Sequence, residues 1–297
     1  MGRISLDLEV LRSFVAGVEL GSFAQAAERV SRSTSAVSAQ LKKLEEQAGQ
    51  PLLRKAGRGL ALTPSGEVML GYARRLLDLN DEAVQAVQGS ALQGGWLRFG
   101  MQEDFGESLL PAILGRFSRA HPQFCLDVKV ARNQQLFDGL ARGELDLALV
   151  WDSGQPWPHR QEMGTLPLCW IDGRANPITW PTTAPVPLVV FEAPCLMRSM
   201  ACAALEQAGH AWRQAFCSGS LSSIWAAVAA GLGVTVRTSA GLPDTLAIRH
   251  DLPPLPDIRC MLCRAEAVSS PAVRCLAETV AQALHEYLQT LPSARVG

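Results

Sequence analysis

Neither sign of charge is in excess in this chain of 297 residues: 27 Lys and Arg stand against 28 Asp and Glu, a formal net charge of −1. A chain without a global basic field cannot rely on nonspecific attraction to a polyanion, so any contact with nucleic acid must come from a local cluster of cations. No apolar run approaches the roughly 20 residues needed to cross a bilayer, and no membrane partner is expected. No secretory leader is read at the start, where Met1 to Ser5 leads directly into amphipathic sequence carrying Asp7 and Glu9. A cytoplasmic location is expected. There the eight cysteines are read as reduced, small, buried side chains and not as a disulfide framework.

A catalytic set is also missing. His121, His159, His210, His250 and His285 are scattered, and none falls in a zinc, triad or phosphate-transfer spacing. No catalytic residue, metal or cofactor is therefore expected, and an enzyme acting on a small metabolite is the disfavoured competing class. Gly231 to Val234 is too short for a dinucleotide fingerprint and follows a helix, so it reads as a helix cap leading into a strand. Cys260 and Cys263 have CxxC spacing but lie in an apparent strand, where residues three apart point to opposite faces, which disfavours a joint site.

What is present is a pair of short helices meeting at a tight turn, from Ser22 to Glu45. Phe23, Ala27 and Val30 fall at helical spacing, the polar run Ser31 to Ser35 interrupts them, and Val37, Leu41 and Leu44 resume the pattern. The second helix is expected to start near Ser33, capped by Ser33 or Thr34, with Val37, Leu41 and Leu44 as its buried face. Its other face then carries Thr34, Ser35, Ser38, Gln40 and Lys42, short donors and acceptors with a long cation, suited to base edges and phosphates in a major groove. Upstream, Leu8, Leu11, Phe14, Val15 and Val18 form an amphipathic helix on which it can pack. Downstream, two apolar runs flank Gly57-Arg58-Gly59 as in a β-hairpin, a wing carrying Lys55 and Arg58. Between Arg29 and Arg58, seven basic residues stand against Glu45 and Glu46. This is the local cluster that the chain as a whole lacks. The expected DNA-contacting set is Ser22, Arg32, Ser33, Thr34, Ser35, Ser38, Gln40, Lys42, Lys55 and Arg58, within a helix-turn-helix running from Phe23 to Lys42.

From Pro64 to about Leu92 the chain runs without a strong breaker, and Met69, Tyr72, Leu76, Leu79, Ala83 and Ala86 alternate steps of three and four. That seam suits pairing with a second copy, which would set two reading helices on adjacent half-sites of a pseudo-palindromic operator.

Several short motifs in this region, LDLEVLRSFV, GSFAQAAERV, SAVSAQLKKLE and GRGLALTPSGE, occur in the order found in LysR-type transcriptional regulators, and the chain resembles that family. The run LLDLNDEA more weakly resembles its branch regulating motility and virulence traits. The resemblance implies an N-terminal winged helix-turn-helix with a long linker helix, followed by an α/β, two-lobed, periplasmic-binding-protein-like effector domain. It implies duplex DNA, a small-molecule effector and a second copy of the chain, as dimer or tetramer, as partners, and admits RNA polymerase as another. One branch senses oxidants through a cysteine pair, so Cys195 and Cys202 leave a redox sensor as the alternative. The expected divisions are 1–64 for DNA binding, 65–93 for the linker and 94–297 for the effector domain, with one lobe from 95–164 and 265–297 and the other from 165–264.

Beyond Trp96 the pattern itself changes to short apolar runs alternating with helices, which implies a mainly parallel sheet covered on both faces. Such sheets bind ligands beyond the carboxyl ends of their strands. The residues expected there are Gln102, Glu103, Asp104, Phe105 and Ser108 after the first strand, and Trp151 after the third. Ser218, Ser220 and Leu221 lie at a helix start, and Thr235 and Arg237 near the end of a later strand. Two carboxylates would repel an anionic effector unless they point away, and Arg237 could pair with one of them. With Phe105 and Trp151 nearby, an aromatic or apolar effector with a polar handle is expected.

Overall fold

The computed structural model describes residues 4–56, 59–87 and 95–291. It divides into two compact units, Met1–Gly95 with Asp138–Asp146, and Trp96–Phe137 with Leu147–Gly297.

The first unit opens with α1 (Leu8–Glu19), α2 (Phe23–Arg29) and α3 (Thr34–Ala48). Each begins on a side-chain cap: Asp7, Ser22 and Ser33 accept from the backbone N–H of Glu9, Gln25 and Ala36. These caps satisfy donors that the first helical turn leaves unpaired. Helix α3 ends at Gly49, whose φ of 67° is the left-handed conformation that glycine adopts without strain. Val10, Leu11, Phe14, Ala27, Val37, Leu41 and Leu44 form one core with Leu52, Leu70 and Ala73. Helix α2 packs so closely on α1 that a Cβ at Gly17 would lie 1.9 Å from the Phe23 ring. Strands β1 (Leu53–Ala56) and β2 (Gly59–Leu62) form the expected antiparallel hairpin. Its root is fixed by the Glu45 carboxylate, which accepts from the backbone N–H groups of Leu52 and Leu53.

The long helix α4 spans Pro64–Val87. Leu70 and Ala73 face the core, while Tyr72, Leu76 and Leu79 are exposed together with Val68 and Val84. Met69 departs from the expected seam, because it packs against the unit's own core. Positions 88–94 and the side chain of Ala86 lie outside the described residues.

In the second unit, β3 (Trp96–Met101) pairs in parallel with β4 (Cys125–Val130) and β5 (Leu147–Trp151). Helices α5 (Glu103–Gly106), α6 (Leu110–Ala120) and α7 (Asn133–Ala141) lie between these strands in sequence. The long β6 (Arg160–Gly173) then leads to β7 (Val186–Phe191), α8 (Leu196–Gln207), β8 (Trp212–Ser218), α9 (Leu221–Ala229), β9 (Thr235–Thr238) and β10 (Leu246–Arg249). Strand β11 (Asp257–Arg264) returns to the first lobe, and α10 (Pro271–Thr290) closes the described chain.

The expectation of a mainly parallel sheet is corrected by the pairing. One seven-stranded sheet runs β10-β6-β11-β5-β3-β4 with β9 also on β6, and among these pairs only β3/β4 and β3/β5 are parallel. Strands β7 and β8 form a separate parallel pair. The cause is the route of the chain between lobes. The first part of β6 pairs antiparallel with β11, and the last part with β9 and β10, so the connecting strands oppose the βα units they join. All of β5 and β7 is buried, as strands covered on both faces require.

Candidate functional site

The turn between α2 and α3 is held by its backbone. The Arg32 N–H donates to Ala27 O at 2.8 Å, and Ser31 takes a left-handed φ of 53°. Beyond it, Thr34, Ser35, Ser38 and Lys42 are exposed while Val37, Leu41 and Leu44 are buried behind them. Ser33 and Ser35 hydroxyls lie 3.0 Å apart. The Ser38 hydroxyl donates to Thr34 O at 2.9 Å, which leaves its oxygen available as an acceptor. Ser22 caps α2, and Lys55 is exposed on β1. Arg58 lies outside the described residues.

Gln40 does not belong to this face. It stands about 200° around the helix axis from Ser38, given roughly 100° per residue. Its side-chain oxygen accepts from the buried Ser13 hydroxyl at 2.9 Å, tying α3 to α1. The residues missed on the exposed face are Ala39 and Lys43, both solvent-facing. Helical angle alone would have found them, since both fall between Ser35 and the far side of the helix. Arg32 is exposed and paired with Glu9 at 2.6 Å, and Lys42 lies 4.0 Å from Glu46. Both are solvent-exposed pairs of small worth, which a phosphate can replace.

In the second unit, the carboxyl ends of β3 and β4 lie side by side, since Met101 is paired with Val130. Glu103 and Asp104 follow the first strand and Arg132 the second. Asp104 is 2 % exposed, and its Oδ2 accepts from the Trp151 indole at 3.1 Å and lies 3.6 Å from Arg237 Nη1. Arg237, 7 % exposed on β9, also has its guanidinium 4.0 Å from the centre of the Phe191 ring. Burial raises the Glu103 carboxyl above the usual glutamate value, against the pull of Arg237, Arg132 and the backbone N–H of Leu221 at the start of α9. Asp104 and Glu103 therefore reach across from the β3 end to β9 and α9.

Four buried polar atoms in this cluster have no hydrogen-bond partner: Glu103 Oε2, Asp104 Oδ1, Arg132 Nη1 and Arg237 Nε. Arg132 escaped the sequence reading, which followed the first and third strands of the βα series and passed over the second. Ser108 donates to Asp104 O at 3.4 Å. Ser218 Oγ accepts from the Ser220 N–H at 3.2 Å, and Ser220 shares a hydroxyl contact with Ser222, so both hydroxyls shape the turn before Leu221. Thr235 is buried and, with Phe191, Cys195 and Arg237, lines a cavity of about 10 Å³.

Three expected cleft residues sit in the framework instead. The Gln102 side chain is buried and donates to Asn133, which in turn holds the Trp151 backbone through both its N–H and C=O. Phe105 is fully buried, with its ring 4.9 Å from that of Trp151. Trp151 is buried with it. Their apolar rings are used up in the core, and the expectation of an aromatic effector loses its basis.

Comparison with known proteins agrees with both halves of this description. The family model described as bacterial regulatory helix-turn-helix protein, lysR family, matches residues 8–67. The LysR substrate binding domain matches residues 90–285. The HTH-type transcriptional regulator PecT of Dickeya dadantii (strain 3937) is 37 % identical over 266 residues, 88 % of this chain and 82 % of its own. DgdR of Burkholderia cepacia, also named an HTH-type transcriptional regulator, is 37 % identical over 265 residues, 87 % of each chain. Among solved structures, ArgP from Mycobacterium tuberculosis superposes with a TM-score of 0.72 at 22 % identity, covering 94 % of this chain and 97 % of its own.

Proposed function

Because the chain belongs to the LysR family of DNA-binding transcriptional regulators, we propose that α3 is its reading helix and that the Glu103, Asp104, Arg132 and Arg237 cluster is where its small-molecule effector acts. The observation that carries the first assignment is the two-sided character of α3, an exposed hydroxyl and lysine face backed by buried Val37, Leu41 and Leu44. Thr34, Ser35 and Ser38 read bases. Arg32, Lys42, Lys43 and Lys55 hold phosphates, with Arg58 at the wing.

Residues 1–64 constitute the DNA-binding part, 65–93 the linker through which two copies pair, and 94–297 the effector-binding part. Pairing through the exposed stripe of α4 gives a pseudo-palindromic operator, as a two-fold dimer requires. The chain acts in the cytoplasm and catalyses no reaction. No helix among the described residues is long and apolar enough to cross a membrane. A redox role for Cys195 and Cys202 is not favoured, because burial raises the Cys202 thiol, whereas a reactive cysteine needs its thiolate stabilised.

The test is fluorescence anisotropy on a duplex recovered from genomic DNA by the purified protein. Ser38→Ala is expected to weaken that site by about 1–3 kcal/mol while leaving scrambled duplex unchanged. Lys43→Ala is expected to weaken all duplexes alike and to reduce the slope of log affinity against log salt by about 0.9. Equal loss on every sequence from both variants would refute the division of roles.

A further inference from the structure

The cleft cluster places two carboxylates and two guanidinium groups around the carboxyl ends of β3 and β4, and each side chain keeps one buried polar atom without a partner. The two unpartnered oxygens, Glu103 Oε2 and Asp104 Oδ1, can only accept hydrogen bonds when ionised. The two unpartnered nitrogens, Arg132 Nη1 and Arg237 Nε, can only donate. Buried polar groups without partners are rare, and four in one place, matched two and two, call for a ligand of matching chemistry. From this pattern we infer that the effector is a small zwitterion, an ammonium and a carboxylate on one short frame as in an α-amino acid. The inference rests on reading this cleft as the effector site.

Neither half of such a molecule satisfies the site. A simple carboxylate would pair with the arginines while facing Glu103 and Asp104 at close range, and like charges there oppose its binding. A simple amine meets the acceptors and leaves Arg132 Nη1 and Arg237 Nε unpaired, with the cost that an unsatisfied buried donor carries. A zwitterion satisfies all four and changes the local charge by zero. Asp104 and Arg237 are both more than nine-tenths buried, so their orientation is set by the surrounding fold.

The position of Glu103 adds a mechanical consequence. Its carboxylate is drawn toward the backbone N–H of Leu221 at the start of α9, a helix whose N-cap residue Ser220 gives no side-chain hydrogen bond to the first turn. With the Asp104–Arg237 pair, this is a direct link from the β3 end to elements of the second lobe. The adjoining cavity of about 10 Å³ is far too small for an amino acid. The zwitterion therefore enters as a wedge, replacing direct cross-lobe contacts with bridged ones and moving the lobes apart.

The experiment measures melting temperature of the full chain with the common L-α-amino acids, each beside its decarboxylated amine and its deaminated acid. L-leucine, 3-methylbutylamine and 4-methylpentanoate make one such set. At least one amino acid is expected to raise the melting temperature at a concentration where neither of its halves does. Glu103→Gln and Arg132→Gln, both at partly exposed positions, are expected to keep the wild-type circular dichroism spectrum and to bind that amino acid at least about tenfold more weakly. Asp104→Asn is expected to do the same where it folds. The inference is overturned if an acid or amine binds as tightly as its parent, if the two glutamine variants bind like the wild type, or if no amino acid shifts the melt. Operator binding is measured on the same samples. Retained operator binding with any of those outcomes leaves the regulator reading standing, whereas its loss in the wild type counts against that reading alone.

Discussion

Gln40 and Ser38 sit two residues apart on α3, yet their geometry gives them opposite roles. Gln40→Ala removes the hydrogen bond that ties α3 to the buried Ser13 of α1, while the Ser13 hydroxyl keeps the Glu9 carbonyl as an acceptor, so it is expected to lower unfolding stability by about 0.5–1.5 kcal/mol, the net worth of one such bond. Urea unfolding checks this, and loss of sequence preference without loss of stability would return Gln40 to the reading face. Ser38 and Lys42 were legible in the sequence because a buried stripe defines the face opposite to it. Gln40 was placed on that face because polarity was taken for exposure, whereas its side chain is half-buried against Ser13, and Arg132 was omitted because a strand end was passed over. At Glu103 the folded state holds the carboxyl above its ordinary value of 4.5, chiefly through burial. Only at pH values between the two does the native chain hold more of this proton than the unfolded chain does. The stability contributed by this group is fully present below the unfolded value and falls as pH rises through the folded one. Glu103→Gln is expected to melt above the wild type at pH 7, with the two converging below pH 4.5. A variant that melts lower at pH 7 would mean that Arg237 and the Leu221 N–H outweigh burial.

Among the elements, the helices were the most legible, since their apolar spacing and hydroxyl caps are local signals. Most strands were also legible from short apolar runs, but not the short β10 or the polar first half of β6. Strand direction was not, because whether β6 and β11 run with or against β5 depends on where the chain crosses between lobes, which no local spacing records. Phe105 and Trp151 failed for a related reason: an aromatic ring at a strand end reads alike whether it lines a cleft or, as here, packs into the core. Helix α4 carries its own prediction. Tyr72, Leu76 and Leu79 are exposed in a row at helical spacing, with Leu79 at 61 %, and apolar stripes of that kind serve association. Leu79→Glu is expected to shift sedimentation velocity toward the monomer while leaving helicity unchanged. An unaltered assembly would show that the chain pairs elsewhere.

For the whole molecule, near-neutral net charge and a local basic cluster combine to give selectivity in place of coating. Phosphate contacts supply salt-sensitive affinity, and the hydroxyl face of α3 supplies the choice of sequence. The most direct test is the affinity of the full chain, across a salt series, for its recovered genomic site and for a scrambled duplex of equal length. The expected result is a preference of about a thousandfold or more for the genomic site, with both affinities falling as salt rises and the preference reduced by Ser38→Ala. Equal affinity for the two duplexes, or no binding to either at low ionic strength, would contradict the assignment of α3 as the reading helix.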